Sequence, residues 1–112
     1  MRQVIHMIIA KVLKNHDGSY HSFSCMGHAG FSVKGKDIVC AAVSVLVINT
    51  VNAMEQFTDA ELECGTEDAV EWKFLSAPGE KAVLLMDAML LGLKEIQNEY
   101  GKRYLRLIFE EV

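Results

Sequence analysis

The chain has 112 residues, 51% hydrophobic and 23% charged, with one proline and a formal net charge of −4. That is enough sequence for one domain with a real core, spanning residues 1–112, and too little for a second. The acidic balance argues against direct nucleic-acid binding, which needs a basic surface to displace counterions, and it suits a basic protein partner. Cys25, Cys40 and Cys64 share no short repeated spacing, so reduced thiols in the cytoplasm are expected rather than a disulfide framework. The apolar stretch at 4–10 is broken by His6 and does not read as a signal peptide. The run 38–48 is shorter than the ~20 residues of a membrane span, so no membrane association is expected.

Residues 4–13 are rich in Val, Ile and Met on both faces and predict a buried strand. Asn15-His16-Asp17-Gly18 predicts a turn, with Gly18 able to take positive φ. Residues 19–26 alternate loosely, Tyr20, Ser22 and Ser24 against His21, Phe23 and Cys25, and complete a hairpin. That second strand delivers its end directly to His28. Residues 29–36 have no periodicity and contain Gly30 and Gly35, so a mobile loop is expected, ordering over bound substrate.

A helix is expected over 37–57, with Asp37 as N-cap, because its carboxylate can accept the backbone N–H two or three residues on. Cys40 then lies in the first turn, where the positive end of the helix dipole favours a thiolate over a thiol. At 100° per residue Asp37, Cys40 and Ser44 share one face. The start of this helix is apolar almost all round, which predicts a central buried helix. Residues 61–65 and 69–75 predict two short strands, with an acidic cluster from Asp59 to Glu71 as a candidate rim for a basic substrate. Ser76-Ala77-Pro78-Gly79 opens a second helix over 80–100, with Val83, Met86, Leu90, Leu93 and Ile96 at helical spacing and Gly101 as its stop. A final strand is expected over 104–109. The order β-β-α-β-β-α-β predicts an α+β domain: a mostly antiparallel sheet with two helices packed on one side.

A cysteine on an apolar helix is ordinarily core packing. Cys40 is distinguished by its place at a helix start, joined by a glycine-containing loop to a histidine at a strand end, which is a Cys–His nucleophile arrangement. Cys25-x-x-His28 with Cys40 can also be read as part of a zinc site, but no fourth ligand stands at a recognised spacing. Asp37 can orient His28 as well as cap the helix, and Ser44 can face the site or bond back to the carbonyl of Cys40. No metal or cofactor is required by such chemistry.

The residues GHAG at 27–30 and DIVCAAVS at 37–44 resemble the ribosomal-processing cysteine proteases, the Prp family of bacteria. The resemblance implies a cysteine endopeptidase that trims the N-terminal extension of a large-subunit ribosomal protein, the twenty-seventh of its series. It implies Cys40 as nucleophile and His28 as general base, with Asp37 and Ser44 at further family positions. Gly27, Ala29, Gly30 and Gly35 would form the substrate-binding loop. Cleavage after an aromatic pair and a homodimer are implied as well. The competing expectation is a non-catalytic assembly factor that grips a basic ribosomal-protein tail.

Overall fold

The computed structural model describes residues 7–27, 36–65 and 69–112, with the backbone alone at 36 and 37. Five strands, β1 (Ile8–Lys14), β2 (Tyr20–Met26), β3 (Leu62–Gly65), β4 (Ala69–Phe74) and β5 (Leu105–Glu111), alternate with two helices, α1 (Lys36–Phe57) and α2 (Gly79–Tyr100). They form one sheet in the order β3-β4-β2-β1-β5. The pairs β1–β2, β2–β4 and β3–β4 are antiparallel, and β1–β5 is parallel. The mostly antiparallel α+β architecture read from the sequence is therefore present, and β5 makes the sheet mixed. Its parallel arrangement follows from the connection: α2 carries the chain back along the sheet, so β5 starts at the end where β1 starts.

The hairpin β1–β2 turns at Gly18, whose φ is +89°. Asp17 holds the turn by accepting from the Ser19 N–H at 3.0 Å and from the Ser19 hydroxyl at 2.6 Å, and these bonds pull its carboxyl below the usual range. The pairing slips by one residue between Leu13 and Lys14. This irregularity moves Tyr20 onto the buried side. Strict alternation had grouped it with Ser22 and Ser24. Its hydroxyl donates to the Asp87 carboxylate of α2, and burial together with that carboxylate pushes the phenol up.

Both helices cover one face of the sheet. Ile8, Ala10 and Val12 of β1, Phe23 and Cys25 of β2, Trp72 and Phe74 of β4 and Leu105 of β5 point into the core. Phe23 and Trp72, cross-strand partners, set their ring centroids 4.8 Å apart. Among the described residues nothing covers the opposite face, so within them β1 is buried on one side only. Lys11 there pairs with Glu110 at 3.4 Å, and Lys73 pairs with Glu63 at 3.4 Å.

Helix α1 buries Val39, Val43, Val47, Thr50 and Met54, a stripe at helical spacing. The sequence predicts a central buried helix, and the structure buries only one side of it. Ile38, Val45 and Ile48 are 55%, 70% and 45% exposed, so the apolar residues occupy two faces and only one meets the sheet. In α2 the buried side is Ala82, Met86, Met89, Leu90 and Leu93. The two helices approach closely at Gly92, where a Cβ would stand 2.6 Å from Leu46 Cδ2. At its C-terminus the Gly101 N–H donates to the Gln97 carbonyl at 2.8 Å, in the role expected for that glycine. The Gln97 side chain accepts from the Leu107 N–H at 2.8 Å and covers part of the edge of β5.

Candidate active site

Strand directions place the chemistry at one end of the sheet. β2 finishes there at Met26, α1 begins there at Lys36, and β1 and β5 both start there. Cys40 lies in the second turn of α1, half-buried and packed against the core cluster. The helix begins at Lys36, one residue earlier than the sequence reading placed it, so Asp37 is inside the first turn rather than ahead of it. A carboxylate in that turn still meets the positive end of the helix dipole.

Along α1 the flank that touches α2 carries Leu46. Cys40 and Ser44, one turn apart and both half-buried, lie on the opposite flank, as their spacing predicts. That flank continues to Glu55, which lies beside Cys64 of β3. The Cys64 thiol is pushed up by partial burial and by the Glu55 carboxylate. Cys64 itself is exposed.

Of the other candidates, Gly27 is described and His28, Ala29, Gly30 and Gly35 lie outside the described residues. The His28–Cys40 and Asp37–His28 pairings and the expected mobility of the loop through residue 35 lie outside them too, while Lys36, the last residue of the expected loop, belongs to α1. Gly27 does more than loosen a loop. Its φ is +94°, and a Cβ there would stand 2.2 Å from the Met7 carbonyl oxygen and 3.2 Å from its carbon. The chain thus leaves β2 through a glycine-only conformation pressed against the backbone leading into β1, and the next residue is His28. The other described histidines sit elsewhere. His16 is in the far hairpin turn, 2.6 Å from the Glu111 carboxylate, and His21 on β2 is 3.0 Å from the Ser22 hydroxyl.

The site holds one residue that the sequence reading weighed only as an incidental zinc ligand. Cys25 is 2% exposed on the core face of β2, between Ala10 and Val70. Its thiol is pushed up to about 12, first by burial and then by the charge of Cys40. The signal was in the sequence: Phe23 and Cys25 alternate with Ser22 and Ser24, which places both on the inward face.

Two surface features fall outside this arrangement. A basin of about 500 Å³ involving Lys11, Ser22, Ser24, Glu71 and Lys73 opens on the uncovered face of the sheet, away from Cys40. The acidic cluster is also split. Glu61 stands before β3 at the opposite end of the sheet and accepts from the Ser76 hydroxyl at 2.9 Å, while Glu63 is paired with Lys73. Glu67 and Asp68, the other acidic residues expected in the rim before Glu71, lie outside the described residues.

The chain is similar in sequence and in shape to cysteine proteases. A sequence profile of the family Cysteine protease Prp matches residues 7–105. The ribosomal processing cysteine protease Prp of Bacillus subtilis is 34% identical over 102 residues, covering 84% of this chain and 90% of that protein. The essential ribosomal processing protease Prp of Staphylococcus aureus, in complex with a substrate peptide, superposes with a TM-score of 0.84 at 25% identity, covering 92% of this chain and 99% of that one. The same protein with a covalently linked product peptide superposes at 0.81 and 26% identity, with the same coverage. The half-buried cysteine near the start of α1 stands in a matching fold, and the chain belongs to the Prp family of cysteine proteases.

Proposed function

We propose that the chain is the endopeptidase that removes a short N-terminal extension from a basic large-subunit ribosomal protein, the twenty-seventh of the series, in the cytoplasm. The observation that carries the residue assignment is Cys40, half-buried near the start of α1 at the sheet end where β2 hands the chain through Gly27 to His28. The Cys40 sulfur attacks the scissile carbonyl carbon. His28 takes the thiol proton and returns it to the leaving amine. Backbone N–H groups near the start of α1 hold the oxyanion, and water then hydrolyses the thioester. Ser44, one turn on from Cys40, and Asp37 in the first turn support the pair. The loop of Ala29, Gly30 and Gly35 takes the peptide. A net charge of −4 favours encounter with a basic substrate.

The working form is a homodimer. The exposed stripe Ile38, Val45 and Ile48 and the groove beside it, which includes Leu46, Gly92 and Ile96, give an apolar surface of the kind a second copy covers. Sedimentation of Val45→Lys reads this, the variant falling to monomer while the parent sediments as a dimer.

The test of the activity is the intact mass of the ribosomal protein before and after incubation. The parent chain removes the extension. Cys40→Ala leaves the mass unchanged, and His28→Ala slows cleavage by about 10²–10⁴-fold. Cleavage by Cys40→Ala at the parent rate overturns the nucleophile. An unchanged mass with the parent chain overturns the substrate.

A further inference from the structure

At the end of the sheet opposite Cys40, beside the hairpin turn, α2 and the edge strand β5 enclose a cleft of about 370 Å³. That is the small end of the range of about 300–1,000 Å³ found for small-molecule pockets. Asp87, Leu91, Lys94 and Gln97, at helical spacing, line it from α2. Leu107 and Phe109 line it from β5, and Lys14 and Tyr20 close it at the turn. Two contacts hold these walls together. The Gln97 side chain accepts from the Leu107 N–H at 2.8 Å, and the Tyr20 hydroxyl donates to the Asp87 carboxylate.

The lysines of the cleft have cationic heads without a counter-charge. Among the described residues neither Lys14 nor Lys94 is in an ion pair. Lys14 Nζ instead stands 5.2 Å from the Tyr20 ring centroid and 5.7 Å from that of Phe109, so ring faces hold its ammonium at the cleft. The acids nearest to it along β5 are engaged elsewhere. Glu110 pairs with Lys11, and Glu111, the register partner of Lys14, pairs with His16. Two lysines against one aspartate leave the lining with a net charge of +1.

We infer that this cleft is a binding site for a small apolar monocarboxylate, a molecule of the medium-chain fatty acid kind, whose carboxylate is taken by Lys14 and Lys94 and whose chain lies on Leu91, Leu107 and Phe109.

Each part of that ligand answers a feature of the cleft. Leu91 and Phe109 are large apolar side chains left exposed at its walls, and an alkyl chain removes them from water. A carboxylate gives the two ammonium groups charge-assisted hydrogen bonds. A single negative charge matches the lining, whereas a phosphate monoester, with about −1.5 to −2 at neutral pH, meets repulsion from Asp87. A peptide added as a further strand is disfavoured, because Gln97 already occupies the Leu107 N–H that such a strand would use. The ligand bridges α2 to β5 and the end of β1, so it binds the folded chain and stabilises it.

The site is independent of Cys40, and its test requires no proteolysis. Octanoate is titrated into the full chain by calorimetry, with octanol, octylamine and octyl phosphate as controls, and NMR shifts locate the ligand. Octanoate should bind one to one, raise the melting temperature and shift the signals of Leu91, Leu107 and Phe109. Octanol and octylamine should bind weaker by about tenfold or more, since they forgo the charged hydrogen bonds. The double variant Lys14→Gln, Lys94→Gln should lose octanoate affinity by about tenfold or more. Lys102→Gln, an exposed lysine outside the cleft, should keep it. Should the double variant melt below the parent, Leu91→Glu sets a carboxylate on an exposed wall and should exclude octanoate. No saturable binding, octanol binding as tightly as octanoate, or octyl phosphate binding more tightly each overturns the inference. So does an equal loss in Lys102→Gln, unchanged binding in the cleft variants, or shifts confined to the α1–α2 groove at Val45 and Ile96.

Discussion

Replacing Gly27 by alanine tests whether the approach of β2 to β1 fixes the chain that leads to His28. Two costs arise. At φ +94° a side chain is strained, which is worth about 1–3 kcal/mol. The new Cβ also meets the Met7 carbonyl oxygen at 2.2 Å, an overpacking of about 1–3 kcal/mol. Met7 cannot simply step back, because the next residue, Ile8, donates its N–H to the Tyr104 carbonyl at 2.9 Å and begins the pairing with β5. The sum, roughly 2–6 kcal/mol, is a large share of the 5–15 kcal/mol of a typical domain. Gly18→Ala is the matched control. Its φ is +89° with nothing within 4 Å of the added carbon, so it carries the strain without the clash. Urea unfolding of the two variants should differ by about the clash alone, 1–3 kcal/mol. Under conditions where both are folded, Gly27→Ala should lose peptidase activity at least tenfold and Gly18→Ala should keep it. Equal stability of the two variants, with full activity in both, refutes the reasoning.

Gly92→Ala should cost about 1–3 kcal/mol through its clash with Leu46, partly offset by a gain of about 1 kcal/mol in helix propensity. In a Leu46→Ala background the clash is gone, and the same substitution should become stabilising. Urea unfolding that shows no change of sign would place the helix contact elsewhere. Stability should also fall from about pH 9 upward, because Cys25 ionises near 9.0 when unfolded and only at about 12 in the folded chain, so the unfolded state gives up its proton first. Cys25→Val should flatten that alkaline slope, and Tyr20, shifted in the same direction, should account for part of what remains; an unchanged slope in thermal melts at several pH values would discount burial of Cys25 as the cause. Glu61→Lys, at the end of the sheet away from Cys40, should leave substrate association and its salt dependence unchanged. A several-fold slower association in stopped flow would restore Glu61 to the encounter surface.

Local chemistry was the legible part of the sequence. Gly18 marked the hairpin, Pro78 and Gly101 bracketed α2, and the spacing of Met86, Leu90 and Leu93 found its buried side. The 37–40–44 spacing put Cys40 and Ser44 on one flank of α1 because helical geometry is set within a turn. What escaped depended on partners far along the chain. Gly27 read as a loop residue because the obstacle is Met7, twenty residues earlier. Tyr20 was misassigned because a one-residue slip in pairing is not written in either strand alone. The apolar excess of α1 looked like depth in the core, since composition does not say which apolar face meets the sheet and which, with Val45 and Ile48, is left for solvent or a partner. The acidic cluster was contiguous in sequence, but strand direction carries Glu61 to the end opposite Cys40.

The parallel pairing of β5 with β1 also sets when this protease comes into existence. Each residue of β1 waits for a partner synthesised ninety-seven positions later, from Ile8 with Leu105 to Lys14 with Glu111. On a translating ribosome the hairpin β1–β2 and both helices can form first, but one edge of β1 stays open and Leu105 is missing from the core. Such a late, non-local closure slows folding, and the open apolar edge invites wrong partners and chaperones. The Ile8–Tyr104 bond closes the same end of the sheet that carries Cys40, so that end is completed only after the chain has been made to β5. Stalled chains ending at Gly101 should therefore show rapid exchange of the Ile8 amide and no peptidase activity, and both should change once β5 is added.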